Sequence, residues 1–246
     1  MNLKVINSNS LGNAYLLSND SEALLIECGV RWEKIKQAID FNIRKIVGCI
    51  VTHEHGDHSK SIVDVMKSGI KVYASRGTHR ELKTLDHHRA FILEHGKAVQ
   101  IGNFNVMPFN VKHDVAEPLG FLIKHEETGV VLFLTDTYYS EYKFPGLNNI
   151  IVEANFCQMI IDDRLARGED PKFLRDRIFK SHMSLATCKD LLRANDLSQV
   201  NNIVLIHLSD RNSNADRFKK EVTEATGKMV HIAQAGLSIP FSKSQF

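Results

Sequence analysis

Three imidazoles and a carboxylate fall within six residues, His53-Glu54-His55-Gly56-Asp57-His58, directly after the apolar run at residues 45–51. A β-strand that ends and then fans its side chains through a tight turn can aim all four at one point. Neutral imidazole and carboxylate are the donors that a borderline divalent cation such as zinc takes. The bland alternative is a His-rich surface turn. Two neutral flanking segments, and partners farther along the chain, weigh against it.

Rigid scaffolds place further ligands at strand ends, and three side chains stand at such points. His113 follows the strand around Val111, Asp136 follows residues 130–134, and His207 follows residues 203–206. One such residue alone would ordinarily be a hydrogen-bonded edge residue. Three of them, in order downstream of His-x-His-x-Asp-His, shift the balance to a shared site.

Around these residues the pattern alternates between strand and helix. Residues 3–6, 13–17 and 23–26 read as strands, and residues 31–39 carry Trp32, Ile35 and Ala38 at helical spacing. Ser59 is placed to cap a helix over residues 59–67 that stops at Gly69. A short strand at 71–74 and a polar helix at 79–85 follow. From residue 98 to 124 the period becomes two, which predicts antiparallel strands. Residues 130–134, 149–152 and 203–206 are unbroken apolar strands, and a last strand is expected at 229–234. Helices are expected at 158–167, 171–179, 185–194 and 214–226. Two sheets with helices outside and polar residues at successive strand ends describe an α/β protein, a four-layer αββα sandwich forming a single domain over residues 1–246.

The bulk composition narrows the field. The hydrophobic fraction is 43%, the charged fraction 24% and the formal net charge +2, ordinary for a soluble globular protein. Such balance argues mildly against a protein that tracks a long nucleic-acid backbone. The four cysteines, Cys28, Cys49, Cys157 and Cys188, form no Cys-x-x-Cys pair. Residues 1–6 begin a strand rather than a signal peptide, and no apolar run is long enough to span a bilayer. A cytoplasmic location without membrane attachment is the expectation.

At this point the chain resembles the metallo-β-lactamase superfamily over nearly its whole length. The resemblance implies that His53, His55 and His113 hold one metal, that Asp57, His58 and His207 hold a second, and that Asp136 bridges them. Two divalent ions are therefore expected, zinc first, with manganese or iron as alternatives. Such a pair lowers the pKa of a bridging water and clamps both oxygens of a displacement. Ser181-His182-Met183-Ser184, ahead of His207-Leu208-Ser209, looks like the extra histidine motif of the nuclease and phosphodiesterase branches, the RNase Z, PhnP and YycJ types. That likeness implies that His182 steadies phosphate oxygens or protonates a leaving oxygen, and makes Asp57 and His182 the expected catalytic residues. The plainer reading of His182 is a residue at a helix N-terminus.

Further segments narrow the resemblance to YycJ-type proteins, which are regarded as DNA exonucleases. They are Ser8-Asn9-Ser10-Leu11-Gly12-Asn13-Ala14, Leu24-Leu25-Ile26-Glu27-Cys28-Gly29, His113-Asp114-Val115-Ala116-Glu117-Pro118, Arg177-Ile178 and His207-Leu208-Ser209-Asp210-Arg211-Asn212. Two departures stand out: Thr135-Asp136-Thr137-Tyr138-Tyr139, where that group has Gly before Tyr, and Glu153-Ala154-Asn155-Phe156-Cys157, where it has His-Asp at the end. Drift into core packing would explain both. The functional alternative is that Tyr138, Tyr139 or Phe156 stacks a nucleobase, with Ser184 nearby as a further substrate contact.

Two activities follow from the resemblance. The first is a phosphodiesterase for small cyclic nucleotides acting through a metal-bridging hydroxide, for which phage-borne anti-Pycsar enzymes are a precedent. The second is a 5′-to-3′ DNA exonuclease. Arg164, Arg167, Lys172, Arg175, Arg177 and Lys180 would track a strand, although Glu169, Asp170 and Asp176 interleave them as on a solvated helix face. A metal-binding protein that merely sequesters nucleotides is disfavoured, because all seven expected ligands are present. The resemblance also implies a homodimer. His79, His87, His88, His95, His125 and His231 lack ligand-like spacing and are expected at the surface or in packing.

Overall fold

Short apolar runs rich in Leu, Ile and Val become two seven-stranded sheets packed face to face. The computed structural model describes residues 1–169 and 172–244. The first sheet is built from β1 (Asn2–Asn9), β2 (Gly12–Ser18), β3 (Ala23–Ile26), β4 (Ile46–Ile50), β5 (Val72–Ala74) and β6 (Ala90–Ile92). The second holds β7 (Val99–Ile101), β8 (Phe104–Asn110), β9 (Leu119–His125), β10 (Gly129–Leu134), β11 (Leu147–Glu153), β12 (Asn202–Ile206) and β13 (Met229–Ile232). The chain then returns to the first sheet as β14 (Ser238–Pro240), antiparallel to β1.

Each sheet changes character part-way across. β1 to β3 and β7 to β10 pair antiparallel through turns, whereas β3 to β6 and β10 to β13 are parallel. Parallel neighbours need long crossovers. Helices α1 (Trp32–Ala38), α2 (Gly56–Ser59), α3 (Ile62–Lys67) and α4 (Arg76–Glu81) supply them in the first half. In the second half α5 (Gln158–Ala166), α6 (Lys172–Ser181), α7 (Leu185–Arg193) and α8 (Ala215–Thr226) do so. The crossover from β10 to β11 carries no helix, and its loop holds Asp136.

Successive strand residues face opposite ways, and here both faces are covered. Leu24, Ile26 and Ile50 meet Phe121, Phe133 and Val204 between the sheets. Leu25 and Cys49 turn outward onto Ile35 of α1 and Val65 of α3. Leu132, Val152 and Leu205 turn the other way onto Leu192 of α7 and Phe218 of α8. Burial on both faces is why the central strands lack polar alternation. The expected four-layer αββα sandwich is the architecture observed.

The departures from expectation are local. The helix expected over 59–67 is two pieces, because Ser61 is tied to the loop after β3. Its N–H donates to Cys28 O at 2.9 Å and its hydroxyl to Val30 O. The polar helix begins earlier, at Arg76, where Ser75 Oγ accepts from Thr78 N at 3.0 Å. β6 and β14 are short edge strands that hydrophobic period does not mark. The expected start of α6 at Pro171, and Asp170 before it, lie outside the described residues, as do the side chains of Lys172 and Arg175. Among the described residues no helix is long and apolar enough to cross a membrane. The four cysteines are all buried and unpaired.

One buried polar contact latches the two sheets together. Glu22, at the entry to β3, accepts from Asn103 N at 3.0 Å and from Asn103 Nδ2 at 2.7 Å, in the turn between β7 and β8. His125, at the end of β9, stands 3.3 Å from the same carboxylate. Burial alone would raise the Glu22 pKa, but the Asn103 donors and His125 outweigh it and the net shift is downward. A folded-state pKa below that of the unfolded chain, about 4.3, contributes stability that is present above that value and lost as pH falls through the folded pKa. Glu22→Gln is therefore expected to lower stability at neutral pH, with the gap to the parent closing below about pH 4. Denaturant unfolding across that range measures it, and a gap independent of pH would rule out the ionised latch.

Candidate metal centre

The strand β4 delivers the histidine cluster. After Ile50 the chain runs through Thr52 and His53 into α2, where His58 N and Ser59 N donate to His55 O at 2.9 and 3.0 Å. That single helical turn throws His55, Asp57 and His58 toward the second sheet. It is held against the loop after β3 by a bond from Cys28 N to His58 O at 2.8 Å. Gly29 lies so close that a Cβ there would stand 1.6 Å from Asp57 O.

The second sheet contributes from its own strand ends. His113 follows β8, Asp136 follows β10 and His207 follows β12. Asp136 and His207 both take left-handed backbone angles, φ 45° and 54°, and Glu27 after β3 does the same at φ 62°. Such angles cost a non-glycine residue about 1 kcal/mol or more each. They turn the chain abruptly at the strand end and aim the side chain into the seam between the sheets.

Seven side chains meet there. His55 Nδ1 lies 3.1 Å from His53 Nε2 and 3.3 Å from His113 Nε2. Asp57 Oδ2 lies 3.3 Å from His58 Nε2 and 3.2 Å from His207 Nε2. Asp136 Oδ2 stands between the two groups, 3.4 Å from His53 Nε2 and 2.7 Å from His58 Nε2. A tetrahedral zinc with bonds of 2.0–2.1 Å separates its ligand atoms by roughly 3.3–3.4 Å. The spacing fits two ions sharing Asp136.

The outward nitrogens of four of the five histidines face oxygen acceptors. A ligating imidazole ordinarily gives its other N–H to an outer acceptor, which fixes the tautomer. His53 Nδ1 is 2.9 Å from Thr52 Oγ1, whose own proton goes to Glu27. His58 Nδ1 faces Glu27 Oε1 at 3.5 Å and His113 Nδ1 faces Asp114 Oδ1 at 3.3 Å, contacts too poorly aligned to be hydrogen bonds. His207 Nδ1 lies 3.3 Å from Glu153 Oε1, the acceptor available to an N–H there, and 3.1 Å from Asn155 Nδ2.

Charge divides the cluster. Burial and the neighbouring His58 push the His53 pKa well down, and burial also lowers that of His113. Both are neutral, as ligands must be. Burial opposes the charge on His58 too, but Asp136 and Glu27 outweigh it and raise its pKa well above the usual range. His207 is raised to about 9, since Asp136, Asp57 and Glu153 overcome burial. Burial would raise the Asp136 and Asp57 pKa values, but the histidines around them hold both carboxyls far below the ordinary range.

His182 stands beside this cluster. Its Nδ1 lies 2.8 Å from Glu153 Oε1 and 3.2 Å from Asp136 Oδ1, and the two carboxylates lift its pKa to about 10 against the effect of burial. Glu153 is fully buried and also accepts from Met183 N at 3.0 Å. Sequence reasoning passed over Glu153 and Glu27. The available signal was positional: each ends an apolar strand, as Asp136 and His207 do.

Residues 23–208 match the family described as a beta-lactamase superfamily domain. The chain belongs to that family. Exodeoxyribonuclease YycJ of Bacillus anthracis is 27% identical over 238 residues, spanning 91% of this chain and 88% of that protein. Exodeoxyribonuclease WalJ of Streptococcus pneumoniae is 27% identical over 252 residues, spanning 96% and 89%. The solved metallo-beta-lactamase fold protein YhfI from Bacillus subtilis superposes with a TM-score of 0.76 at 17% identity, over 97% of this chain and 98% of that one. At that identity the likeness is one of fold.

In this beta-lactamase superfamily domain five of the seven side chains, His55, Asp57, His113, Asp136 and His207, open with His182 into a cavity of about 410 Å³, while His53 and His58 lie buried behind them. Ser10, Arg177 and Ser181 complete its wall, and Arg177 is the one Arg or Lys among the described residues that line it. The four residues expected to bind substrate lie elsewhere. Phe156 is 2% exposed and packs on Phe179 at 4.8 Å, so its ring is spent on core packing. Ser184 caps α7 by accepting from Thr187 N. Tyr138 and Tyr139 are exposed on the loop after Asp136, and Lys112 Nζ covers the Tyr139 ring at 5.5 Å. None of the four lines the cavity.

The contact at Gly29 has a measurable consequence. Gly29→Ala must push the α2 turn outward, an overpacking cost of about 3 kcal/mol. Thermal unfolding should show Tm lower by roughly 6–12 °C. An unchanged Tm would mean that the turn carrying Asp57 and His58 is free to shift.

Proposed function

We propose that the protein is a dinuclear-metal phosphodiesterase that cleaves DNA, in the manner of an exonuclease. The observation that carries this reading is one arrangement: two ligand sets joined by Asp136, with His182 held beside them by Glu153 at a single open cavity. The likeness to the exodeoxyribonucleases YycJ and WalJ supports the choice of DNA. A cyclic-nucleotide substrate rested on a closed aromatic pocket, and Tyr138, Tyr139 and Phe156 do not line the cavity. That reading has lost its main support.

In this proposal His53, His55 and His113 hold one ion, Asp57, His58 and His207 the other, and Asp136 both. Five imidazoles and two carboxylates suit zinc, with manganese the alternative. When bound, a pair of divalent ions supplies the activation of water and the neutralisation of charge on phosphoryl oxygens. The remaining work belongs to the chain. With Nδ1 of His182 committed to Glu153 and Asp136, Nε2 is the nitrogen left to carry a proton to the departing sugar oxygen. Arg177 is placed to draw a phosphate into a cavity whose other ionisable lining is carboxylate and imidazole.

Two outcomes test the reading. Asp136→Ala should reduce tightly bound zinc from about two equivalents per chain to one or none, measured by elemental analysis after dialysis. Retention of both ions would sink the bridging assignment. His182→Ala should slow DNA cleavage by about 10²–10⁴-fold in kcat. It should leave hydrolysis of bis(p-nitrophenyl) phosphate nearly intact, because that leaving group departs without a proton. Equal losses on both substrates would argue that His182 does something other than donate.

A further inference from the structure

A second cavity, of about 350 Å³, lies on the other side of the turn between β1 and β2. Ser10 of that turn lines the metal cavity, while its neighbours Asn9 and Leu11 line the second. The two cavities therefore share one turn as their dividing wall. Three cations close the second cavity: Arg31 and Lys34 at the start of α1, and Lys60 just after α2. No carboxylate lines it.

The charges there are unspent. Among the described residues none of the three cations makes a salt bridge, whereas many surface cations elsewhere do, as in Lys97 with Glu94, Lys189 with Glu221 and Arg217 with Glu221. Asn9 adds a donor. Its Oδ1 accepts from Asn7 Nδ2 and from Leu11 N, both at 3.0 Å, and among the described residues its Nδ2 has no hydrogen-bond partner. Leu11 is 78% exposed at the apex of the turn and covers nothing in the core. A solvated helix face would explain Arg31 and Lys34 alone. It does not explain why Lys60, from a different element, converges with them on one concavity beside the catalytic one.

We infer that this pocket is a phosphate subsite for a single-stranded polynucleotide whose scissile bond lies in the metal cavity. The strand crosses the β1–β2 turn over Leu11, and a backbone phosphate away from the scissile bond settles among Arg31, Lys34 and Lys60. Phosphate contacts of this kind fix register without reading sequence. The inference rests on the phosphodiesterase reading and sharpens it, since a strand that crosses the turn occupies both cavities at once. It also reconciles the near-neutral net charge with a nucleic-acid substrate: the basic footprint is local.

The test is equilibrium binding by fluorescence anisotropy, using metal-loaded protein and fluorescein-labelled, phosphorothioate-linked dT12 and dT2, which resist cleavage. The triple variant R31E/K34E/K60E should bind dT12 about 10–100-fold more weakly than the parent. Its plot of log affinity against log salt should be shallower by about 0.7, as expected for the loss of one neutralised phosphate on a single strand. Affinity for dT2 should be little altered. R31A/K34A/K60A should fall between the two, and thermal unfolding checks that these exposed substitutions leave the fold in place. Equal dT12 affinity and equal salt slope in parent and variants would overturn the inference, as would a parent that binds dT12 no better than dT2. If the parent binds dT12 in the expected way but does not cleave ordinary DNA, the phosphodiesterase reading fails and the subsite stands.

Discussion

Asp136 sits where the two sheets meet, 2% exposed, with Oδ2 against His58 and His53 from the first sheet and Oδ1 against His182 and His207 from the second. A buried carboxylate is tolerated only when its charge is met from several directions. Here the partners come from the segment after β4, from the end of α6 and from the end of β12, so the ionised carboxylate is fully met only when both sheets are packed in register. The apolar core between the sheets provides the packing, but it is indifferent to small slides of one sheet over the other. The polar seam is not, and with the Glu22 latch at the opposite side it gives the sandwich one alignment.

That alignment is reached through strained backbone and close approach. Glu27, Asp136 and His207 each leave a parallel strand through a left-handed residue, where an extended one would carry the side chain past the seam. Gly29 lets the α2 turn come within contact of the loop after β3, which buries His58 beside His53 and leaves Asp57 a quarter exposed at the cavity. Stability is given up at each of these points and recovered by packing in the three apolar clusters. The distribution is that of a rigid scaffold carrying a strained site.

The parts of this molecule that are legible in the sequence are those written locally. His53 to His58 announce themselves because the ligands share one turn, and unbroken apolar runs mark the parallel strands because both faces are covered. Glu153 was not legible. Its role comes from β11 pairing with β12 in the register that sets Glu153 opposite Ile206, next to His207, and from α6 delivering His182 to it. Nothing within a few residues of Glu153 encodes either. Phe156 misled for the converse reason: closeness in sequence to the site suggested a platform for a base, while the chain at that point forms a bridge to Ser184 and turns the ring onto Phe179. Sequence proximity to a strand end predicts participation only for the residue at which the backbone turns.

The arrangement of charge also orders events at the site. Glu27, Asp57, Asp136 and Glu153 bring four carboxylates to one seam, balanced by imidazoles that are charged only while protonated. Cations are therefore favoured there, and a polyanion is not. A bound cation competes with the protons on His58 and His207, and it changes the sign of the field that an approaching phosphate meets. On the proposed function, metal and phosphate substrate would be coupled in the thermodynamic sense, each raising the affinity for the other by the same factor. The single arginine at the cavity wall and the three cations across the β1–β2 turn lie outside the carboxylate cluster, so their attraction for phosphate is independent of what occupies the seam. On the proposed function, a nucleic-acid strand would be held at a distance by permanent charge and admitted to the centre only where cations already stand.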